Sequence, residues 1–135
     1  MEIKDYKELN ALNKLLGKVK FQGDLDFYEF KEFVGSPIIA EIFKRLHEEY
    51  WNESVKLGFV KDDQKSKFEF DSLTGKALKM RIDELTDHEK ETLVKFDNVN
   101  SYVKTLISPL DVEEDELNKM LEYAAEKIKP APNNI

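Results

Sequence analysis

The sequence predicts a mainly α-helical chain of five to six helices with one small β-hairpin. Three observations carry that expectation. Apolar residues recur at helical spacing through most of the 135 residues. Two capping boxes, Asp26 with Glu29 and Thr86 with Glu89, mark helix starts. Proline and glycine punctuate the pattern at Gly17, Gly35, Pro37, Gly58 and Pro109.

In chain order, the first helix is expected over Asp5–Leu16, with Tyr6, Leu9, Leu12, Leu15 and Leu16 near one face. Gly17 ends it, and the alternation in Lys18–Phe21 reads as a short strand. A second helix runs from the Asp26 cap to Gly35. Ser36-Pro37 opens a long third helix to about Leu57, since proline suits a first helical turn. Its core stripe is Ile39, Ile42, Phe43, Leu46 and Tyr50. Gly58 stops it, and Phe59–Phe70 reads as a hairpin with a polar turn over Lys61–Ser66. A helix follows over Thr74–Glu84, then one from Thr86 to about Ser108, where Pro109 forbids continuation. The carboxylates of Asp111–Glu116 suit a helix start, where the macrodipole favours negative charge. Leu117, Met120, Leu121, Ala124 and Ile128 form the stripe of the last helix.

Composition bounds the function. At 41% apolar and 11% aromatic residues the chain has the makings of one core, expected over 1–129, with 130–135 a flexible proline-bearing tail. No apolar run reaches the ~18 residues of a membrane span, and no signal peptide opens the chain, so a cytoplasmic protein without membrane contact is expected. There is no cysteine, hence no disulfide, thiolate metal site or thiol nucleophile. The net charge of −7 is uneven: residues 1–67 carry 12 basic and 13 acidic side chains, residues 68–135 carry 9 and 15. Phosphate backbones are repelled overall, and a basic protein partner is favoured. The acidic groups Glu48-Glu49 with Glu53, Asp83-Glu84 with Asp87, and Glu113–Glu116 suit such a partner.

Two motifs compete for the run Gly23–Phe33. Gly23, Leu25, Asp26 and Glu29, followed by Phe30, match the closing half of an EF-hand loop. Calcium also needs oxygen ligands from the early loop positions, and those hold Lys18, Lys20 and Gln22. Capping accounts for Asp26 and Glu29 instead, and no metal or other cofactor is expected. Catalytic signatures are absent: there is no His-Glu-x-x-His, phosphate loop, nucleophile elbow or dinucleotide fingerprint, and the two histidines are His47 and His88. An enzyme is not expected.

The wider order of helix 5–16, strand 18–21, helices 26–34 and 37–57, and hairpin 59–70 resembles a winged helix-turn-helix. Leu57-Gly-Phe-Val60 looks like the exit into a wing, and Ser72-Leu-Thr-Gly-Lys-Ala-Leu78 like the segment after it. The helices after Thr86 resemble the C-terminal extension of MarR-like and PadR-like regulators. That resemblance implies DNA contacts from Lys44, Arg45, Lys61, Lys65 and Lys67, and a homodimer through 86–128. The start of the third helix, Ser36-Pro-Ile-Ile-Ala-Glu41, departs from it, because it offers no basic group to base edges.

The residues themselves favour a small acidic protein-interaction domain, of the kind found among inhibitor, immunity-type or phage-encoded regulatory proteins. Trp51 falls about 140° from the centre of the third helix's stripe at 100° per residue. It shares its side with Lys44, His47 and Val55. These four are the expected partner-binding patch, since tryptophan beside basic groups dominates binding hot spots. The bland alternative is that the helix is sandwiched and Trp51 packs beneath its neighbours.

Overall fold

The computed structural model describes residues 5–21, 32–61, 65 and 67–129. It is mainly helical with one small two-stranded sheet. The helices are α1 (Tyr6–Phe21), α2 (Pro37–Lys56), α3 (Leu73–Asp83), α4 (Asp87–Lys95), α5 (Val99–Ile107) and α6 (Glu114–Ile128), and residues 32–34 are also helical. The strands are β1 (Lys67–Phe68) and β2 (Asp111–Val112). The start of the expected second helix and the tail 130–135 lie outside the described residues.

Local chemistry places the helix starts where the sequence puts them. The Asp5 carboxylate accepts from the Lys7 amide at 2.8 Å. The Ser36 hydroxyl accepts from the Ile39 amide at 3.2 Å, with Pro37 in the first turn of α2. Thr86 and Glu89 close a full capping box. Replacing the hydroxyl in Thr86→Ala is expected to lower stability by about 1 kcal/mol. An unchanged urea midpoint would show that this box contributes nothing.

Helix α1 overruns the expected stop at Gly17, and Lys18–Phe21 is helical rather than a strand. Glycine inside a helix costs about 1 kcal/mol, but the extra turn delivers two tertiary contacts. Phe21 packs against Phe43, with ring centroids 6.2 Å apart. Lys20 is buried and donates to the Thr105 carbonyl at 2.6 Å and to the Ser108 carbonyl.

Helices α1 and α2 form an antiparallel pair. Tyr6 stacks on Tyr50 at 5.7 Å, Asn13 meets His47, and Phe21 meets Phe43. Ser54 is buried and donates to the Tyr50 carbonyl at 2.8 Å, so Tyr6 Oη donates to Ser54 Oγ at 3.0 Å. The buried stripe of α2 is Ala40, Phe43, Leu46 and Ser54. Phe43 and Leu46 of the expected stripe are in it and Ile39 and Tyr50 are half-buried, whereas Ile42 stands 45% exposed. The small Ala40 turns inward, and Ile38 and Ile42 are left outside.

Phe59 and Val60 of the expected hairpin 59–70 are not strand, and 62–64 and 66 in its turn lie outside the described residues. The Phe59 and Gly58 amides instead close the end of α2, bonding the Ser54 and Val55 carbonyls at 2.9 and 3.0 Å. This is a Schellman closure, and Gly58 at φ 78° supplies its left-handed residue. β1 pairs in parallel with β2, in the register Lys67 to Asp111 and Phe68 to Val112. Residues 111–112 are therefore strand, and α6 begins at Glu114.

The expected helix from Thr86 to Ser108 is two. Asp97 at φ 54° takes the left-handed position, with Asn98 and Asp97 amides on the Leu93 and Val94 carbonyls at 2.8 and 3.2 Å. The same closure works here without glycine, because aspartate tolerates that conformation better than most residues. The turn lets α5 bring Val103, Leu106 and Ile107 into the core with Phe68, Leu78, Ile82, Met120, Ala124 and Ile128. Most of the large apolar residues of 99–128 are thus packed within one chain. Val94 and Phe96, at 38% and 62% exposure, remain outside.

Candidate functional site

The predicted patch on α2 divides when folded. His47, Trp51 and Val55 are half-buried, and Lys44 is exposed. His47 Nδ1 lies 2.9 Å from Asn13 Oδ1, so this nitrogen carries the hydrogen and Nε2 is the bare acceptor. His47 Nε2 and Trp51 Nε1, one helical turn apart, are shielded from solvent and have no hydrogen-bond partner among the described residues. Burial, reinforced by the Lys65 ammonium, pushes the His47 imidazole below its ordinary value; Asp111 and Glu48 pull the other way. Trp51 is thus half-buried, with its indole nitrogen shielded from solvent.

Lys44 leads to a different feature. It lines an open cleft of about 290 Å³ together with Lys104 and Ile107 of α5, the loop Ser108–Leu110, Asp111 and Val112 of β2, and Leu117 of α6. The floor is apolar: Ile107, Pro109, Leu110, Val112 and Leu117. Its shape follows from the termination of α5. Pro109 cannot continue the helix, and the Leu110 amide turns back to the Ile107 carbonyl at 3.0 Å. Lys20 enters from α1 and holds the Thr105 and Ser108 carbonyls. This places a cation at a helix C-terminus, where free carbonyls and the dipole favour it. Burial nonetheless dominates and pushes the Lys20 ammonium down to about 8.

The cleft rim is cationic within an acidic protein. Among the described residues neither Lys44 nor Lys104 is in an ion pair, whereas the Asp111 carboxylate lies 4.0 Å from Lys65. Lys67 binds Glu113 at 2.5 Å. Two of the lysines that a DNA-contacting wing would use, Lys65 and Lys67, therefore sit against carboxylates. Arg45 and Lys61 are exposed. The EF-hand register also fails where it can be followed, because Lys18 and Lys20 lie inside α1; residues 22–31 are outside the described set. No group of three metal-ligating side chains stands together among the described residues. No helix among them is long and apolar enough to cross a membrane.

Lys104, the 107–112 floor and Lys20 escaped sequence reasoning. Pro109 is the available signal, since it forces a turn just after the Ser108 cap of a helix that carries Lys104 in its last turn. What that turn would face depends on α2, some 60 residues earlier in the chain. No protein-family model, curated protein or solved structure matches this chain.

Proposed function

We propose that the protein is a non-catalytic interaction domain, of inhibitor or regulatory type, which acts in the cytoplasm by binding another protein through α2. The observation that carries this reading is the outer face of that helix. Ile38 and Ile42, one turn apart, are 72% and 45% exposed, although Phe43 and Leu46 beside them are buried. Phe33, 42% exposed, lies just before the helix. Apolar anchors at i and i+4 on a helix, ringed by the exposed charges Glu41, Arg45, Glu48 and Glu49, are the pattern by which helices enter partner grooves. The net charge of −7 favours a basic partner and speeds its approach. Two titratable groups inside the fold already have structural duties: Lys20 ties α1 to α5, and His47 is held by Asn13.

The test is affinity capture from extracts of the source cells, with nuclease treatment, using the natural chain and Ile38→Asp/Ile42→Asp. A stoichiometric protein partner is expected, with retention reduced about tenfold or more by the double variant. Both substitutions are on the surface, so an unchanged circular dichroism spectrum and melting curve serve as the control. Recovery of nucleic acid alone, or equal retention by both chains, would sink the reading.

A further inference from the structure

The geometry points to a second binding surface: the cleft between α2, α5 and β2 takes an extended peptide segment in which one large apolar side chain is flanked by carboxylates. It is distinct from the Ile38–Ile42 face, since Lys44 lies about 200° around α2 from Ile42 at 100° per residue. The argument is one of complementarity. The floor offers Ile107, Pro109, Leu110 and Val112, an apolar seat of about 290 Å³. That is just under the roughly 300–1,000 Å³ of sites that enclose small molecules, and suits a side-chain anchor. Lys44 and Lys104 line the seat from two different helices, so two cations stand beside its apolar residues. Among the described residues Asp111 is the one carboxylate lining it, and it already lies against Lys65. The charge of the described lining residues is therefore opposite in sign to that of the whole protein.

This opposition selects the occupant. A basic segment drawn to the protein at large meets like charge at this rim, which costs affinity and blocks register. An acidic–apolar segment meets two ammonium groups and an apolar floor. The floor itself is rigidly made: Lys20 pins the Thr105 and Ser108 carbonyls from behind, and β2 is fixed in register on β1. A floor held in this way loses little freedom on binding, which preserves affinity.

The experiment uses the full chain, labelled with nitrogen-15, and three short synthetic peptides with common Gly-Ser flanks. Their centres are Glu-Phe-Asp, Lys-Phe-Lys and Glu-Gly-Asp. The first is expected to bind at least about tenfold more tightly than the other two, with amide shifts concentrated at Lys44 and Lys104–Val112. Lys44→Gln/Lys104→Gln is expected to weaken it about five- to tenfold and to flatten its salt dependence. Because both lysines are exposed, the variant keeps its fold, and single Lys44→Glu and Lys104→Glu chains give independent checks. Equal binding of the three peptides, shifts confined to other surfaces, or no saturation below about 1 mM would overturn the proposal. So would displacement of the bound peptide by dodecanoate at lower concentration than by free Glu-Phe-Asp peptide, which would assign the cleft to small amphiphiles. None of these results touches the α2 reading, which stands or falls on the Ile38 and Ile42 substitutions.

Discussion

Gly75→Ala is expected to destabilise the protein by about 3 kcal/mol, although the same exchange normally strengthens a helix. A Cβ at this position would stand 2.1 Å from the Phe70 carbonyl oxygen and 2.6 Å from that of Glu69. Both obstacles are backbone, so no rotamer change relieves them. The loop cannot easily retreat. Phe68 is buried in the core two residues before, the Phe70 amide donates to Glu116 at 3.3 Å, and Ser72 caps α3 through the Gly75 amide at 3.0 Å. For a chain of this size the loss corresponds to a fall in Tm on the order of 10 °C. Gly17→Ala supplies the contrast. Nothing lies within 4 Å of a Cβ there and the residue is helical, so a gain of up to about 1 kcal/mol is expected. Thermal melts of the two variants decide the matter. A Gly75→Ala chain as stable as the natural one would mean that α3 can slide away from 69–70.

The same contrast separates what was legible in the sequence from what was not. Local signals are legible in the sequence: Thr86 as a cap, Ser36-Pro37 as a helix opening, Gly58 as a stop, and the helical spacing of Met120, Ala124 and Ile128 as a core stripe. Signals that depend on distant partners are not. Gly17 reads as a stop, yet Lys20 and Phe21 find partners on α5 and α2 that make another turn worthwhile. Phe68 reads as the return strand of a hairpin, but its partner is Val112, joined in parallel across more than 40 residues. Asp97 carries the same closure as Gly58 without the glycine that announces it. The candidate site follows this division. Lys44 was found because it shares a helix side with Trp51. The floor it overlooks is assembled by Pro109, β2 and Lys20, whose meeting has no local signature.

Stability is expected to rise by about 2 kcal/mol between pH 8 and pH 10, with Lys20 as the cause. The residue is 3% exposed, and burial pushes its ammonium down to about 8 from an ordinary 10.5. The unfolded chain then binds more protons than the folded one throughout that interval, so raising the pH favours folding. The Thr105 and Ser108 carbonyls remain acceptors for the neutral amine, which keeps its hydrogens for both bonds. Above about pH 10 the trend reverses. Burial raises the Tyr102 phenol, and burial with the Asp83 hydrogen bond pushes Tyr123 up to about 12, so the folded state holds protons that unfolded tyrosines release. At the acid end the sign is that of Lys20 again. His47 is held neutral, and stability falls as pH drops through the unfolded value of 6.5. Urea midpoints at pH 5.5, 7.5, 9.5 and 11 should therefore trace a curve with its maximum near pH 10. Lys20→Met is the decisive variant, since it keeps the aliphatic stem and abolishes the alkaline rise. It also leaves the Ser108 carbonyl without its cation, so the slope between pH 8 and 10, not the absolute stability, is what reports on the lysine. A natural chain whose midpoint is flat across that interval, or a Lys20→Met chain that retains the rise, would show that this ammonium stays protonated in the fold.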